Sequence, residues 1–210
     1  MEEKISKIKS WLGTGSINIF GLPMSGKDTQ GIKLAEAIGG KFLSSGMIIR
    51  EAEVRQKEDY TGNGNLAPSN VFYDCVLPYF ERRDLFSSPL VLSSIGRWSG
   101  EETAVMNTAA NAGHEIKAVI ILNVSEAEVE RRWENAKQLG DRGDRNDDRD
   151  SAVFQNRILE FRQKTLPVIQ HYKDLGLLID VPATGDRDEI FSIIIDKLAD
   201  FAEHSSDFLD

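Results

Sequence analysis

A glycine-rich segment that directly follows a short apolar run constrains this chain more than any other feature. Residues 21–29 read GLPMSGKDT, and the apolar run before them is residues 17–20. Two glycines allow the backbone to curl until successive N–H groups point at one anion, and a helix beginning there aims its positive dipole end at the same place. Lys27 adds a mobile positive charge for the β and γ phosphates of a nucleotide. The segment therefore predicts a phosphate-binding loop between a strand and a helix.

The glycine and lysine spacing is a weaker signal than its surroundings. A G-x-x-x-x-G-K pattern arises by chance in about one chain in twenty of this length, and the alternative is a glycine-rich surface turn. A β-type apolar run stands before the segment and an amphipathic stretch stands after it. This order favours the phosphate-binding interpretation.

Composition sets wide bounds. The chain has 210 residues, of which 40% are hydrophobic and 28% charged, as expected for one large globular domain or one domain with inserted lobes. A net charge of −9 argues against a nucleic-acid partner, although a local cluster of arginines can still bind a phosphate ligand. Cys75 is the only cysteine, so no intrachain disulfide can form. No secretory segment or long apolar run is found, so we expect a cytoplasmic protein without a membrane partner.

Short apolar runs alternate with longer helical stretches along the chain. The runs are residues 17–20, 41–43, 90–92, 118–124 and 177–181. Short runs without alternation are typical of parallel strands, which are buried on both faces. We therefore predict an α/β fold, a three-layer α/β/α sandwich around a five-stranded parallel sheet.

Three segments lie outside this alternation. Residues 2–12 form a charged, weakly amphipathic helix within an N-terminal extension, 1–15, which either packs on the domain or is a peripheral arm. Residues 57–88 are too long for a simple crossover and predict a small helical lobe, with one helix beginning at Pro68. Residues 139–150, LGDRGDRNDDRD, are either a solvated linker or a mobile lid. Charged runs of this kind are more often linkers; the argument for a lid is a set of arginines in and just after the segment, namely Arg142, Arg145, Arg149 and Arg157.

Six motifs follow one another in a recognisable order. The phosphate loop at 21–30 is similar to GxPGxGKGTQ, residues 44–50 to S-T-G-D-x-x-R, and residues 64–66 to G-x-L. Residues 93–97 are similar to D-G-F-P-R, residues 145–148 to R-x-D-D, and residues 165–172 to T-x-P-x-I-x-x-Y. Together they resemble the adenylate kinase family of nucleoside monophosphate kinases, from about residue 17 to residue 198.

The resemblance implies the activity and the partners. We expect transfer of the γ-phosphoryl group of ATP, with Mg²⁺, to a nucleoside monophosphate (NMP) by a monomeric enzyme. Residues 16–210 would form the P-loop kinase domain, with an NMP-binding lobe at 45–88 and a short lid at 137–150. Closure of both lobes would exclude water, which would otherwise accept the phosphoryl group.

The resemblance also implies roles for individual residues. The catalytic set is Lys27, Arg97, Arg145 and Arg157. The set that binds ATP is Gly21, Met24, Ser25, Gly26, Lys27, Asp28, Thr29, Arg132 and Gly185. The set that binds the NMP is Ser45, Arg50, Asn65, Leu66, Ala67, Ser94, Arg97 and Glu101. The alternative for each arginine is a surface ion pair of little energetic value.

Four departures from the family pattern bear on the loop and its metal. Met24 replaces a glycine, so the loop either keeps a negative φ there or carries strain. Asp28 replaces another glycine, while Met47 and Ser93 replace two acids that lie near the magnesium waters in the family. We hypothesise that Asp28 anchors the hydrated Mg²⁺ through water. The alternative is that Asp28 faces solvent as an acid at a helix N-terminus.

Glu101 stands where members specific for AMP carry a glutamine. An ionised carboxylate only accepts hydrogen bonds, so it suits guanine N1–H and N2–H₂, or a protonated pyrimidine edge, better than adenine. The alternative is that Glu101 is a first-turn acid of the next helix. Gly96 and Trp98 replace the family's usual proline and threonine beside it.

Two other functions remain open at the sequence level. One is a nucleotide-binding protein of the same fold with little or no catalysis, which the lost acids favour. The other is a P-loop kinase for another small metabolite. The sequence argues against a GTPase, because the hydroxyl lies at Thr29 rather than directly after Lys27 and no N-K-x-D motif follows.

Overall fold

Five parallel strands form the centre of the molecule. The structure is a computed structural model and describes residues 1–139 and 150–206. The strands are β1 (Ser16–Gly21), β2 (Lys41–Ser44), β3 (Leu90–Ser93), β4 (Ile116–Asn123) and β5 (Leu178–Pro182). They pair in the order β2-β3-β1-β4-β5, and every pair is parallel. All five predicted strands are confirmed, with ends that differ by no more than two residues. Every residue of β1 and of β3 is buried, as the absence of alternation predicts.

Helices cover both faces of this sheet. They are α1 (Glu2–Leu12), α2 (Lys27–Ile38), α3 (Ser45–Gln56), α4 (Ser69–Cys75), α5 (Glu101–Asn111), α6 (Glu126–Leu139), α7 (Ser151–Glu160), α8 (Leu166–Asp174) and α9 (Arg187–Ser206). Crossovers in parallel sheets are right-handed, so connections that move in opposite directions along the sheet place their helices on opposite faces. The β1–β2 connection moves one way, and the β3–β4 and β4–β5 connections move the other. The predicted three-layer α/β/α fold is thus confirmed.

The connection between β2 and β3 is much longer than a single crossover helix. It holds α3, α4 and three short 3₁₀ turns at Gly62–Gly64, Leu77–Glu81 and Arg83–Leu85. The helix predicted to begin at Pro68 is α4, for which Pro68 is the N-cap residue. Within this segment α3 contacts α4, and the first 3₁₀ turn contacts α7.

Only the edges of the predicted lid lie within the described residues. Helix α6 extends to Leu139, and the Asp150 side chain accepts a hydrogen bond from the Ala152 N–H where α7 begins. Residues 140–149, with Arg142, Arg145 and Arg149, lie outside the described residues. The predicted domain boundaries stay predictions, namely the lid at 137–150, the lobe at 45–88 and the boundary at residue 15. No helix of the described ranges has both the length and the apolar character that a bilayer crossing needs.

Helix α1 packs on the domain instead of extending from it. Ile8 and Leu12 are fully buried, and the helix contacts both α9 and α2. The Trp11 ring meets the Phe201 ring edge-on at 5.9 Å between centroids, and Lys117 Nζ donates to the Trp11 carbonyl oxygen at 2.7 Å. Of the two alternatives for this helix, packing on the domain is confirmed.

Leu12→Ala tests how much this packing contributes. We expect the substitution to lower the free energy of unfolding by about 2–5 kcal/mol, because it leaves a cavity between α1 and α9. Urea denaturation followed by circular dichroism measures the change. Ser10→Ala, at an exposed position of the same helix, should stay within about 0.5 kcal/mol of the unchanged protein. Equal midpoints for the two variants would mean that α1 adds nothing to the stability of the domain.

Candidate active site

The candidate site lies at the carboxyl ends of β1 and β3. The order of the strands reverses direction at β1, and open parallel sheets bind ligands in the crevice at such a point. Ile19 pairs with Ser93, and the Ser94 N–H donates to the Ile19 carbonyl oxygen at 3.0 Å. The loop after β1 and the loop after β3 therefore leave the sheet side by side.

The loop after β1 has the tight backbone that phosphate binding requires. Met24 has φ +66° and Gly26 has φ +92°, and the Ser25 N–H donates to the Leu22 carbonyl oxygen at 3.1 Å. A Cβ on Gly21 would lie 2.4 Å from Ser25 Oγ, so only glycine fits there. Of the two alternatives for Met24, strain is correct, since a left-handed conformation costs a residue with a side chain about 1–2 kcal/mol. The partly buried Met24 side chain packs on the core, which offsets some of that cost.

Arg132 links this loop to the residue that follows β5. Its Nη2 donates to the Ala183 carbonyl oxygen at 2.7 Å, and its Nη1 lies 3.4 Å from the carbonyl oxygens of Met24 and Ser25. Glu128 Oε1 accepts from Arg132 Nε at 2.8 Å. Hydrogen bonds from Arg131 and then Arg132 lower the pKa of Glu128 to about 2, so this carboxylate is ionised at neutral pH.

One cavity lies between the loop, α6 and the start of α9. The predicted ATP-binding residues among those that line it are Met24, Ser25, Gly26, Thr29, Arg132 and Gly185. The backbone of Gly185 packs closely against the Glu189 side chain, since a Cβ on Gly185 would lie 2.5 Å from Glu189 Oε2. The other predicted members, Gly21, Lys27 and Asp28, lie on the loop and the first turn of α2 but do not line this cavity.

A second cavity lies between α3, α7 and the loop after β3. All eight residues predicted to bind the acceptor line it, together with Arg157. The eight are Ser45, Arg50, Asn65, Leu66, Ala67, Ser94, Arg97 and Glu101. These residues are scattered over four segments of the sequence, and the fold brings them to one place.

Arg97 is the most unusual charge in this cavity. Burial, and secondly the positive charge of Arg157, lower the pKa of Arg97 to about 10, so it stays protonated at neutral pH. Three nearby negative charges raise the pKa of Arg97 and so offset part of this shift; they belong to Glu160, Glu101 and Asp28. The Arg97 Nε–H is buried and has no hydrogen-bond partner within residues 1–139 and 150–206. Two neighbouring guanidinium groups with an unused buried donor suit a doubly charged phosphate.

Two side chains hold the loop that carries Arg97. Asn18, fully buried in the middle of β1, donates from Nδ2 to the Ile95 carbonyl oxygen at 2.8 Å. Glu101 Oε2 accepts from the Arg97 and Trp98 N–H groups at 2.8 and 3.0 Å. Glu101 Oε1 accepts from the Ser69 hydroxyl at 2.7 Å, which links the loop to α4. Glu101 is thus a buried first-turn acid of α5, and its reading of a base stays a prediction.

Sequence reasoning missed two charged residues, Lys164 and Glu160, near the loop that carries Arg97. Lys164 Nζ lies 3.9 Å from the centre of the Trp98 ring and 2.6 Å from Glu160 Oε2. Glu160 Oε2 also accepts from the Leu66 N–H at 3.0 Å, so it joins α7 to the segment that follows the first 3₁₀ turn. Glu160 follows Arg157 by three residues, a spacing that puts both on one helix face and could have identified it. No sequence signal predicts the contact of Lys164 with Trp98.

Asp28 faces the end of β3. The Ser93 hydroxyl donates to Asp28 Oδ1 at 2.5 Å, which rules out the alternative in which Asp28 faces solvent. A hydroxyl and a carboxylate are oxygen donors of the kind that Mg²⁺ binds, directly or through water. Within the described ranges no three or more His, Cys, Asp or Glu residues cluster as metal ligands, so an ion here would rely on phosphate oxygens and water. The residues present fit a hydrated magnesium ion that arrives with a nucleotide.

Comparisons with known proteins agree with this geometry. No protein-family model matches the chain. An adenylate kinase from Mycobacterium tuberculosis is 30% identical over 181 residues, which span 83% of this chain and 93% of that protein. The chain belongs to the adenylate kinase family. Adenylate kinases from Phocaeicola vulgatus and Thermus thermophilus are 27% and 26% identical over 190 residues, covering 86% and 87% of this chain and 96% and 97% of theirs.

A solved structure supports the fold. A gluconokinase from Sinorhizobium meliloti aligns with a TM-score of 0.58 over 91% of this chain and 95% of that one, at 17% identity. Such a low identity shows the fold alone. Taken with the adenylate kinase relatives, the chain is a nucleotide-binding P-loop kinase, that is, a phosphotransferase.

Substitutions at Glu101 separate loop anchoring from base reading. Glu101→Ala leaves two buried N–H groups without an acceptor, and we expect it to lower the free energy of unfolding by about 1–3 kcal/mol. Glu101→Gln should retain most of the stability, because its carbonyl oxygen can accept both N–H groups and its NH₂ can donate to Ser69. Thermal denaturation measures both changes, with Glu81→Ala as the control at an exposed position of the same lobe.

A loss of stability in Glu101→Gln equal to that in Glu101→Ala would contradict the anchoring role. Unchanged stability in Glu101→Gln with an altered preference among acceptor bases would instead support base reading by this carboxylate.

Proposed function

We propose that this P-loop kinase transfers the γ-phosphoryl group of ATP to the phosphate of a nucleoside monophosphate. The observation that carries the proposal is a pair of neighbouring, partly buried arginines, Arg97 and Arg157, which line the second cavity with Arg50. Burying neighbouring cations is costly unless an anion compensates them. A phosphate acceptor supplies that anion, and the loop after β1 holds the phosphates of the donor next to it.

The residues of the site act mainly by positioning. Phosphoryl transfer needs the attacking and leaving oxygens in line and positive charge at the equatorial oxygens. Lys27, at the first position of α2, follows the glycine turn and would contact the β and γ phosphates. Arg97 would hold the acceptor phosphate through its planar fork, and Arg157 would reach the transferring group. Arg145, outside the described residues, is proposed for the same role as Arg157.

The acceptor side is held in shape before any ligand binds. The Ser45 hydroxyl donates to the Ser94 carbonyl oxygen at 2.7 Å and ties α3 to the loop after β3. A Cβ on Gly46 would lie 3.1 Å from Arg50 Nη1, so the guanidinium rests against bare backbone. Because these groups are already held in place, less conformational entropy is lost when a substrate binds.

The proposed reaction uses magnesium together with ATP. Magnesium, when it binds with ATP, would neutralise part of the phosphate charge. No general base is required, because the acceptor phosphate is already ionised at neutral pH. The scarcity of histidine near the site is therefore compatible with the proposal.

A panel of acceptors tests the proposal. AMP, GMP, CMP and UMP are each incubated with ATP and Mg²⁺, and ADP formation is followed by a coupled assay. We expect saturable turnover of at least one, and the carboxylate at Glu101 predicts GMP or CMP ahead of AMP. Arg97→Lys, which keeps the charge but loses the fork, should reduce kcat/KM roughly 100-fold.

Arg55→Lys, at an exposed arginine of α3, is the matched control and should leave kcat/KM unchanged. Turnover of none of the four acceptors would contradict the proposed function and favour a nucleotide-binding protein or a kinase of another metabolite. A clear preference for AMP would contradict the role of Glu101 in base selection but not the kinase activity.

A further inference from the structure

Two positions at the centre of the site differ in residue type from the family pattern. The family motifs place glycine after the loop lysine and aspartate at the end of the third strand, whereas this chain has Asp28 and Ser93. The two side chains touch, since Ser93 Oγ lies 2.5 Å from Asp28 Oδ1. A carboxylate from α2 therefore occupies the neighbourhood that a carboxylate from β3 would occupy.

The position of Asp28 on the loop points to the same ligand. In phosphate-binding loops of the form G-x-x-x-x-G-K-[ST], the residue directly after the lysine carries the hydroxyl that binds Mg²⁺. Asp28 is that residue here, and the hydroxyl is displaced to Thr29. A carboxylate at this position is a stronger ligand for a hard cation than a hydroxyl, and magnesium sites need one or two carboxylates beside water and phosphate oxygens.

The charge balance of the site favours a cation next to Asp28. A carboxylate in the first turn of α2 lies close to where the donor phosphates would bind, and like charges repel unless a cation lies between them. The negative charge of Asp28 also acts on Arg97, whose pKa it raises against the effect of burial. Ser93 holds the carboxylate in this place instead of letting it turn to solvent.

We propose that Asp28, oriented by Ser93, is the carboxylate that anchors the magnesium ion of bound ATP, and that this chain has thereby moved the acid from β3 to α2. The proposal deepens the proposed function and rests on its use of ATP as donor. Asp28 binds the ion or one of its waters, and Ser93 is a positioning residue. The same arrangement explains how the loss of the strand acid is compatible with a working site.

Calorimetric binding of ATP with Mg²⁺ and with EDTA tests the proposal without any turnover. The measured quantity is the ratio of the dissociation constant for metal-free ATP to that for MgATP. We expect Asp28→Asn to reduce this ratio about tenfold, because metal-free ATP binds more tightly once the repulsion is gone and MgATP loses an anchor. Asp28→Asn keeps an oxygen that accepts from Ser93, so the variant should fold.

The exchange Asp28→Gly with Ser93→Asp restores the family arrangement and should restore the ratio to within about threefold of the unchanged protein. Glu36→Gln, at an exposed acid of α2, is the control for the loss of a negative charge and should leave the ratio unchanged. Asp28→Gly alone should resemble Asp28→Asn and serves as a second variant.

An unchanged ratio in both Asp28→Asn and Asp28→Gly would overturn the proposal and leave the bond to Ser93 as a purely structural contact. A reduced ratio that the exchange does not restore would overturn the claim that the acid has moved. Metal-dependent ATP binding without turnover of any monophosphate would contradict the proposed function alone. No binding of ATP in either condition would overturn both.

Discussion

The pairing of β1 with β3 is the constraint on which the site depends. The register that sets Ile19 opposite Ser93 makes the two strands end together, so the phosphate loop and the Arg97 loop begin side by side. Asn18 strengthens the pairing from inside the sheet, because its buried carboxamide binds the backbone of Ile95 through both its nitrogen and its oxygen. A shift of this register would separate the arginines of the second cavity from the N–H groups of the loop after β1.

Charges that would destabilise an ordinary core are concentrated at this junction. The positive charges of Arg97 and Arg157 repel each other. The nearby acids only partly offset the effects of this repulsion and of burial, since the pKa of Arg97 stays lowered. Glu160 is itself committed to Lys164 and to the Leu66 N–H. Two neighbouring, partly buried guanidinium groups with an unused buried donor suit an anionic ligand, and perturbed groups of this kind cluster at functional sites. The strained Met24 in the neighbouring loop fits the same interpretation.

The sequence predicted the sheet well because parallel strands buried on both faces leave an unmistakable apolar pattern. It predicted eight residues that come together around the second cavity, because motifs in a fixed order mark positions along the chain; their binding of an acceptor stays a prediction. It could not predict contacts between distant segments whose residue types are common, such as Lys164 over the Trp98 ring. Asn18 is a polar residue inside an apolar run, and no local pattern indicates that it binds the loop at Ile95. The backbone conformation of Met24 could not be predicted either, because the sequence allows both a negative and a positive φ there and only the folded loop selects the positive one.

The central claim is that donor and acceptor phosphates bind end to end between the loop after β1 and the arginines of the second cavity. Calorimetric titration with a dinucleoside pentaphosphate, which joins both ligands in one molecule, tests it most directly. We expect saturable binding at least about 100-fold tighter than that of ATP, because the dinucleoside pentaphosphate makes both sets of contacts at once. Binding no tighter than that of ATP would contradict the claim that the two sites lie end to end.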